Sequence, residues 1–382
     1  MIRIPVTDML VKPAGPDCNL ACEYCFYREK EQLFSNRKTR MSESVLEAMI
    51  VQLLAQPVKQ VTIGWQGGEP TLMGIRFFQK AVALMEKYGR GQSVGNGLQT
   101  NGLLIDRQWA EFFRKYHFLI GLSIDGPEHV HDRFRQNRIG RGSWHRAVGA
   151  AKLLLDQGVE VNALTVVNDY SVQFPEEIYT FLKSLGLNFM QFIPCVEADR
   201  QDLARAAPFS VSGVKYGDFL CKLFDLWLAD FSDEKPTTSI RFFEALLFKY
   251  AGFPPTECTL LEECASYLVV EHTGDVYPCD FFVEPEWKLG NLLESPLDAL
   301  LNSPGKVEFG QLKAKLPQDC LNCEWKGLCR GGCTKDRLRD PVSEGQNHFC
   351  EAYRIFFPYA DSRLRKLVET WKRNLLEFPG VK

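Results

Sequence analysis

No run of this chain approaches the roughly 18 consecutive apolar residues that a membrane-spanning helix needs, so no membrane association is expected. The first ten residues carry Arg3, Pro5 and Asp8 where a secretory signal would carry an apolar core. Long basic runs are missing as well. Lys and Arg number 45 against 48 Asp and Glu, a net charge of -3, without the clustered positive charge that a nucleic-acid binder displays. Neither a repeat of fixed period nor a low-complexity tract occurs. These absences lead to the expectation of a cytoplasmic protein with no nucleic-acid partner. A composition of 45% hydrophobic and 24% charged residues is ordinary for a globular protein, and 382 residues suit a barrel-sized domain plus a smaller one.

Cysteine, in contrast, is plentiful: there are thirteen. Without an export signal they are read as metal-binding or catalytic, because a reducing compartment does not maintain disulfides.

Between about residue 8 and residue 235, short β-branched runs alternate with amphipathic stretches, the pattern of repeated βα units around a parallel sheet. Expected strands are 8–11, 60–65, 93–99, 118–124, 160–167 and 188–193. Expected helices include 42–54 with a serine cap, 106–114, 144–155 and 214–231. Six such strands predict a partial, TIM-like (β/α)6 barrel in residues 1–235. In residues 236–382 the cysteines crowd among Gly and Pro, so a second domain organised by metal more than by regular packing is expected there, ending in a helix.

Cys18, Cys22 and Cys25 place three thiols within eight residues, directly after the first expected strand. A structural zinc site wants four protein ligands. Three thiolates on a 4Fe-4S cluster leave one iron open to an outside ligand, and the end of a barrel strand is where such folds place chemistry. A zinc site completed by a distant fourth ligand is the alternative. Trp65-Gln66-Gly67-Gly68-Glu69-Pro70 follows the second strand: two glycines permit close backbone approach, and a carboxylate can accept from an ammonium group. Thr100-Asn101 and Ser123 follow the third and fourth strands. There they either meet a ligand or cap the next helix.

These residues resemble the radical S-adenosylmethionine (SAM) superfamily, whose CxxxCxxC motif includes an aromatic residue at the position of Tyr24. The resemblance implies that SAM chelates the open iron and that one-electron reduction cleaves it to methionine and a 5'-deoxyadenosyl radical. It also implies SAM contacts from Tyr24, Gly67, Gly68, Glu69, Thr100, Asn101 and Ser123.

Eight further cysteines, Cys258, Cys264, Cys279, Cys320, Cys323, Cys329, Cys333 and Cys350, make two sets of four. From the residues alone, a pair of zinc sites or a pair of iron-sulfur clusters would use them. Their spacing looks like the SPASM domain of radical SAM peptide-modifying enzymes. That resemblance implies one auxiliary 4Fe-4S cluster on Cys258, Cys264, Cys279 and Cys333 and another on Cys320, Cys323, Cys329 and Cys350, three clusters in all. Cys195 and Cys221 are left as apolar packing.

Finer motifs, Trp65 to Gly74, Leu98 to Gly102, Gln191 to Pro194, Val276 to Phe282 and Trp287 to Asn291, are similar to those of anaerobic sulfatase-maturating enzymes. The implied activity is oxidation of a Cys or Ser in an unfolded or nascent sulfatase polypeptide to Cα-formylglycine. The radical would take hydrogen from Cβ, Asp280 would act as the base, and an auxiliary cluster would accept the electron. Flavodoxin or ferredoxin would be the electron donor. From sequence alone Asp280 would equally serve as a turn or cap residue, and Tyr27, carried over with Gln66 as a contact to the target peptide, as packing. His129 and His131 receive no role. The competing enzyme reading is a SPASM maturase forming thioether or carbon-carbon crosslinks in a ribosomally made peptide.

Overall fold

A computed structural model describes residues 3–34, 39–199, 201–202, 205–232, 235–264, 267–337 and 345–377. Six strands appear in the expected places: β1 (Asp8–Lys12), β2 (Gln60–Trp65), β3 (Ser93–Thr100), β4 (Phe118–Ser123), β5 (Val161–Val167) and β6 (Phe189–Pro194). Between and after them run α1 (Glu43–Leu54), α2 (Ile75–Tyr88), α3 (Arg107–Lys115), α4 (Glu128–Phe134), α5 (Trp144–Asp156), α6 (Pro175–Ser184), α7 (Gly213–Ala229) and α8 (Arg241–Ala251). The expected caps form. Ser42 Oγ accepts from the Val45 N–H at 3.3 Å and Asp106 Oδ1 from the Trp109 N–H at 3.0 Å, satisfying amides left without a partner in the first turn. α6 opens on Pro175, whose missing N–H costs nothing at that position.

The chain forms two compact units, each assembled from separated segments. The first comprises residues 1–124, 131–162 and 266–310. Its parallel strands pair β1 with β2, β2 with β3 and β3 with β4, with Val11 opposite Trp65 and Trp65 opposite Leu98. A strand not foreseen from the sequence, Leu268–Glu271, pairs parallel to the other edge of β1 and sets Glu271 opposite Lys12. It continues through an antiparallel pairing with Asp275–Tyr277. Lys12, Trp65, Thr100 and Ser123 are the last residues of parallel strands, so they share one edge of this sheet.

The second unit comprises residues 125–130, 163–265 and 311–382. β5 pairs parallel with β6, and β6 with Ser239–Ile240. α7 lies along the C-terminal helix Cys350–Glu377, and Gly217 makes their close approach possible: a Cβ there would stand 3.0 Å from Ile355. Phe224, Trp227, Phe243 and Phe356 fill the space between α7, α8 and that helix. In contrast, residues 318–337 hold three four-residue helices, Gln318–Leu321, Lys326–Cys329 and Thr334–Arg337. Helices this short gain little from their own hydrogen bonds.

Candidate active site

Beyond Lys12 the chain turns at Gly15, φ 54°, where a Cβ would stand 2.6 Å from the His272 ring. Cys18, Cys22 and Cys25 come next, none of them in a disulfide. Two backbone bonds anchor their loop, from Ala21 N–H to Gln136 O at 2.7 Å and from Glu23 N–H to Phe134 O at 3.3 Å. Tyr24 is buried, edge-on to Phe134 with centroids 6.0 Å apart, and the Arg135 guanidinium lies 5.4 Å from its ring.

The segment after β2 lies against the start of that loop. Gly68 N–H donates to Gly15 O and Glu69 N–H to Asp17 O, each at 2.8 Å. Gly67 has φ 117°, and a Cβ on Gly68 would fall 2.0 Å from Asp17 O. The two glycines therefore serve close approach of backbone to backbone. Glu69, fully buried, accepts four hydrogen bonds. Oε1 takes them from Thr71 N–H (3.0 Å), Thr71 Oγ1 (2.6 Å) and Thr100 Oγ1 (2.8 Å), and Oε2 from Asn101 N–H (2.9 Å). Burial raises its pKa against the pull of these donors. Glu69→Gln would turn an amide NH2 toward one of these donors. A loss of about 1–3 kcal/mol of stability is expected, read as a lower midpoint of chemical unfolding.

Asn101 joins these elements to the first cysteine: its Nδ2 donates to Asn19 Oδ1 at 2.7 Å and points at Cys18 Sγ at 3.7 Å. Ser123 Oγ accepts from Gln99 Nε2 at 3.0 Å. Gln66 is half-buried, its N–H donating to Val11 O. Burial, then the Glu69 carboxylate, pushes the Cys18 thiol up to about 12, and Cys22 and Cys25 add to the effect. Thiols so placed ionise only when positive charge arrives to hold them, as a bound iron centre does. Among the described residues no three His, Cys, Asp or Glu converge on one metal ion. Three thiolates on one loop suit a 4Fe-4S cluster, whose fourth iron they leave open to an outside ligand.

Next to this loop, in the same unit, the chain buries a charged group that the sequence did not single out. Lys12 is 1% exposed and its Nζ lies 3.6 Å from the centroid of the Tyr27 ring. Burial lowers its pKa, opposed by Asp280, Glu271, Cys279 and Cys25. Tyr27 is itself fully buried, and its hydroxyl donates to the Glu271 carboxylate. Asp280 Oδ1 and Cys279 Sγ both lie within reach of the Tyr267 hydroxyl. Lys306, a further buried lysine, donates from Nζ to Tyr267 O and Pro278 O, both at 2.9 Å. Alternation along β1 gave no signal for Lys12, which falls in step with exposed Asp8 and half-buried Leu10 and out of step with buried Met9 and Val11. Glu271, Cys279 and Asp280, which act on it, arrive from more than 200 residues away and left no local signal.

In the second unit, the Lys313 ammonium donates to Cys258 O (3.1 Å), Thr259 O (2.7 Å) and Gly332 O (2.9 Å), and it feels Cys264, Cys333 and Cys258. Burial, then Cys350, raises the Cys320 thiol, with Cys323 contributing. Burial raises Cys329 to about 11, with contributions from Cys350 and Cys320. Cys258, Cys264 and Cys333 thus act on one lysine, while Cys320 is influenced by Cys350 and Cys323, and Cys329 by Cys350 and Cys320. Arg337 donates to the carbonyls of Gly331 (2.9 Å), Lys315 (3.1 Å) and Arg330 (3.1 Å), and Cys320, Cys329, Cys264 and Cys333 act on its charge. Cys195 is buried and Cys221 half-buried.

Residues 13–182 match the radical SAM superfamily and residues 258–324 an iron-sulfur cluster-binding domain, SPASM. The molecule is a radical SAM oxidoreductase: a partial (β/α)6 core followed by a SPASM domain, carrying 4Fe-4S clusters and SAM. It is 38% identical to the serine-type anaerobic sulfatase-maturating enzyme of Bacteroides thetaiotaomicron, over 94% of this chain and 92% of the relative. With the cysteine-type enzyme of Clostridium novyi it shares 37% identity, over 95% of this chain and 97% of the relative. The structure of native anSMEcpe with bound AdoMet and Cp18Cys peptide superposes at a TM-score of 0.88 with 34% identity, covering 96% of this chain and 99% of that one. The chain belongs to the anaerobic sulfatase-maturating enzyme family. Streptococcus suis SuiB bound to precursor peptide SuiA, at 16% identity and a TM-score of 0.60, shares the fold alone, so the crosslinking alternative has no support beyond architecture. Among the described residues no helix is long and apolar enough to cross a membrane.

Proposed function

We propose that this chain oxidises a Cys or Ser of an unfolded or nascent sulfatase to Cα-formylglycine with Asp280 as the base. Cys18, Cys22 and Cys25 hold the SAM-binding cluster, and Tyr24, Gly67, Gly68, Glu69, Thr100, Asn101 and Ser123 shape the SAM site. Tyr27 and Gln66 border the target peptide. Cys258, Cys264, Cys279 and Cys333 hold one auxiliary cluster, and Cys320, Cys323, Cys329 and Cys350 the other. Residues 1–235 form the core domain and residues 236–382 the SPASM domain. The observation that carries the reading is the shared buried lysine: Asp280 and Cys279, and with them Cys25 of the first cysteine loop, all act on the charge of Lys12.

SAM held at the first cluster would supply the radical chemistry that removes one hydrogen atom from Cβ of the target residue. The protein's own task is to remove the remaining proton and electron from that residue. A carboxylate oxygen of Asp280 takes the thiol or hydroxyl proton, and the neighbouring Cys279 keeps an electron acceptor beside it. One hydrogen atom, one proton and one electron together make the two-electron oxidation, to the aldehyde for Ser or to a thioaldehyde for Cys, which water hydrolyses to the aldehyde with release of hydrogen sulfide. A flavodoxin or ferredoxin in the cytoplasm is the electron source that suits this chemistry.

The test is anaerobic incubation of enzyme reconstituted to about twelve irons, as three 4Fe-4S clusters require, with SAM, reductant and a peptide containing Cys-x-Pro-x-Arg or its Ser counterpart. The mass change of formylglycine formation is expected in at least one peptide, and the preferred peptide assigns the enzyme type. Intramolecular crosslinking that retains the side-chain sulfur would overturn the reading.

A further inference from the structure

The Tyr267 hydroxyl stands 3.4 Å from Cys279 Sγ and 3.3 Å from Asp280 Oδ1. A phenol has one proton to give; the contact to Asp280 Oδ1 exceeds the usual 2.7–2.8 Å of an unshared O–H···O bond, while the contact to Cys279 Sγ is within hydrogen-bond reach of the larger sulfur atom. The geometry is that of one donor serving two acceptors. Its placement is enforced from both sides. Lys306 Nζ bonds the carbonyl of Tyr267 and the carbonyl of Pro278, the residue before Cys279, so a single buried ammonium fixes the spacing of the two backbone segments. The Tyr267 ring packs against the buried group of Tyr27, Val269, Tyr277 and Val283.

We infer that Tyr267 is a positioning residue whose shared hydrogen bond fixes the Asp280 carboxylate against the Cys279 sulfur, linking the proton acceptor to the route the electron takes. The inference rests on the assignment of Asp280 as base and Cys279 as cluster ligand. A hydrogen bond to a ligating sulfur withdraws electron density from it and makes the cluster easier to reduce. The same bond holds one carboxylate oxygen in place and leaves Oδ2 for the substrate proton. Tyr267 is not itself a proton acceptor in this arrangement, and no step of the reaction passes through it.

The experiment is Tyr267→Phe in the full chain with all clusters loaded. Redox titration monitored by electron paramagnetic resonance is expected to show one auxiliary cluster shifted to more negative potential, with the SAM-binding cluster unmoved. The kcat for peptide oxidation should fall roughly five- to tenfold, the size of one lost hydrogen bond, with KM within about twofold. Three unchanged potentials would overturn the inference, because a merely structural tyrosine predicts that result. Should the variant fail to hold its clusters, wild-type enzyme exchanged into D2O carries the test. An exchangeable proton coupled to a reduced auxiliary cluster is expected in double-resonance spectra, and its absence counts against Tyr267. Asp280→Asn run in parallel separates the two readings. Full activity there removes the base assignment, whereas the potential of the Tyr267 variant reads the sulfur contact directly.

Discussion

Asparagine at position 280 is expected to lower formylglycine formation by about 10²- to 10⁴-fold, the usual worth of a positioned general base, while 5'-deoxyadenosine release continues. The substitution keeps the side chain's size and leaves an amide oxygen to accept from Tyr267, so the local packing has little reason to move. What it removes is the group that takes a proton and one negative charge beside Lys12. Burial lowers the Lys12 pKa, and Asp280 comes first among the groups that oppose it, ahead of Glu271, Cys279 and Cys25. The variant therefore also weakens the charge balance of the buried cluster, and Asp280→Glu, which restores the charge at altered reach, separates the two effects. Partial recovery with Glu assigns the loss to charge and proton transfer together. The measurement is the ratio of 5'-deoxyadenosine to formylglycine in a single turnover, which should rise steeply as the radical forms without productive completion. An Asn variant with all clusters intact and an unchanged ratio would remove Asp280 from the chemistry.

The parts of this site that were legible in the sequence are those written in short-range pattern. Cys18, Cys22 and Cys25 fall in one loop, the Gly67-Gly68-Glu69 segment in another, and six strand positions follow from β-branched runs whose burial alternates along the chain. The capping residues Ser42 and Asp106 were legible for the same reason: their bonds span three residues. Long-range pairing was not. Leu268–Glu271 is a four-residue strand, all of it buried, and a short apolar run has no period that distinguishes strand from helix. Its pairing beside β1 brings residues 266–310 into the first unit and so creates the contacts of Lys12, Tyr27 and Glu271. The two buried lysines, Lys12 and Lys306, read as ordinary surface charges until the carbonyls and carboxylates around them are known. Tyr27 shows the same limit from the other direction. Resemblance gave it a contact to the target peptide, and the hydrogen bond of its hydroxyl to a carboxylate 244 residues further along the chain was not legible.

A methyl group added at Gly68 is expected to lower 5'-deoxyadenosine formation by about 10²-fold or more, the scale on which a misplacement of about 1 Å acts. The reason is steric and local. The new Cβ would stand 2.0 Å from Asp17 O and 2.6 Å from Asp17 C, atoms of the backbone that leads into Cys18. A flexible side chain would swing aside, but this carbonyl is already committed to the Glu69 N–H at 2.8 Å, and Gly15 O to the Gly68 N–H. Relief therefore requires the two loops to part, which carries Glu69 and its partners Thr100 and Asn101 away from Cys18. Gly97 supplies the contrast. It lies in β3, and a Cβ there would meet nothing nearer than Leu119 O at 3.8 Å, an ordinary contact. Gly97→Ala should cleave SAM at close to the wild-type rate, whereas Gly68→Ala should not, even where its iron content is restored by reconstitution. Comparing 5'-deoxyadenosine yield per loaded first cluster in the two variants checks this. Equal yields would mean that the closeness of the two loops has no bearing on how SAM is held.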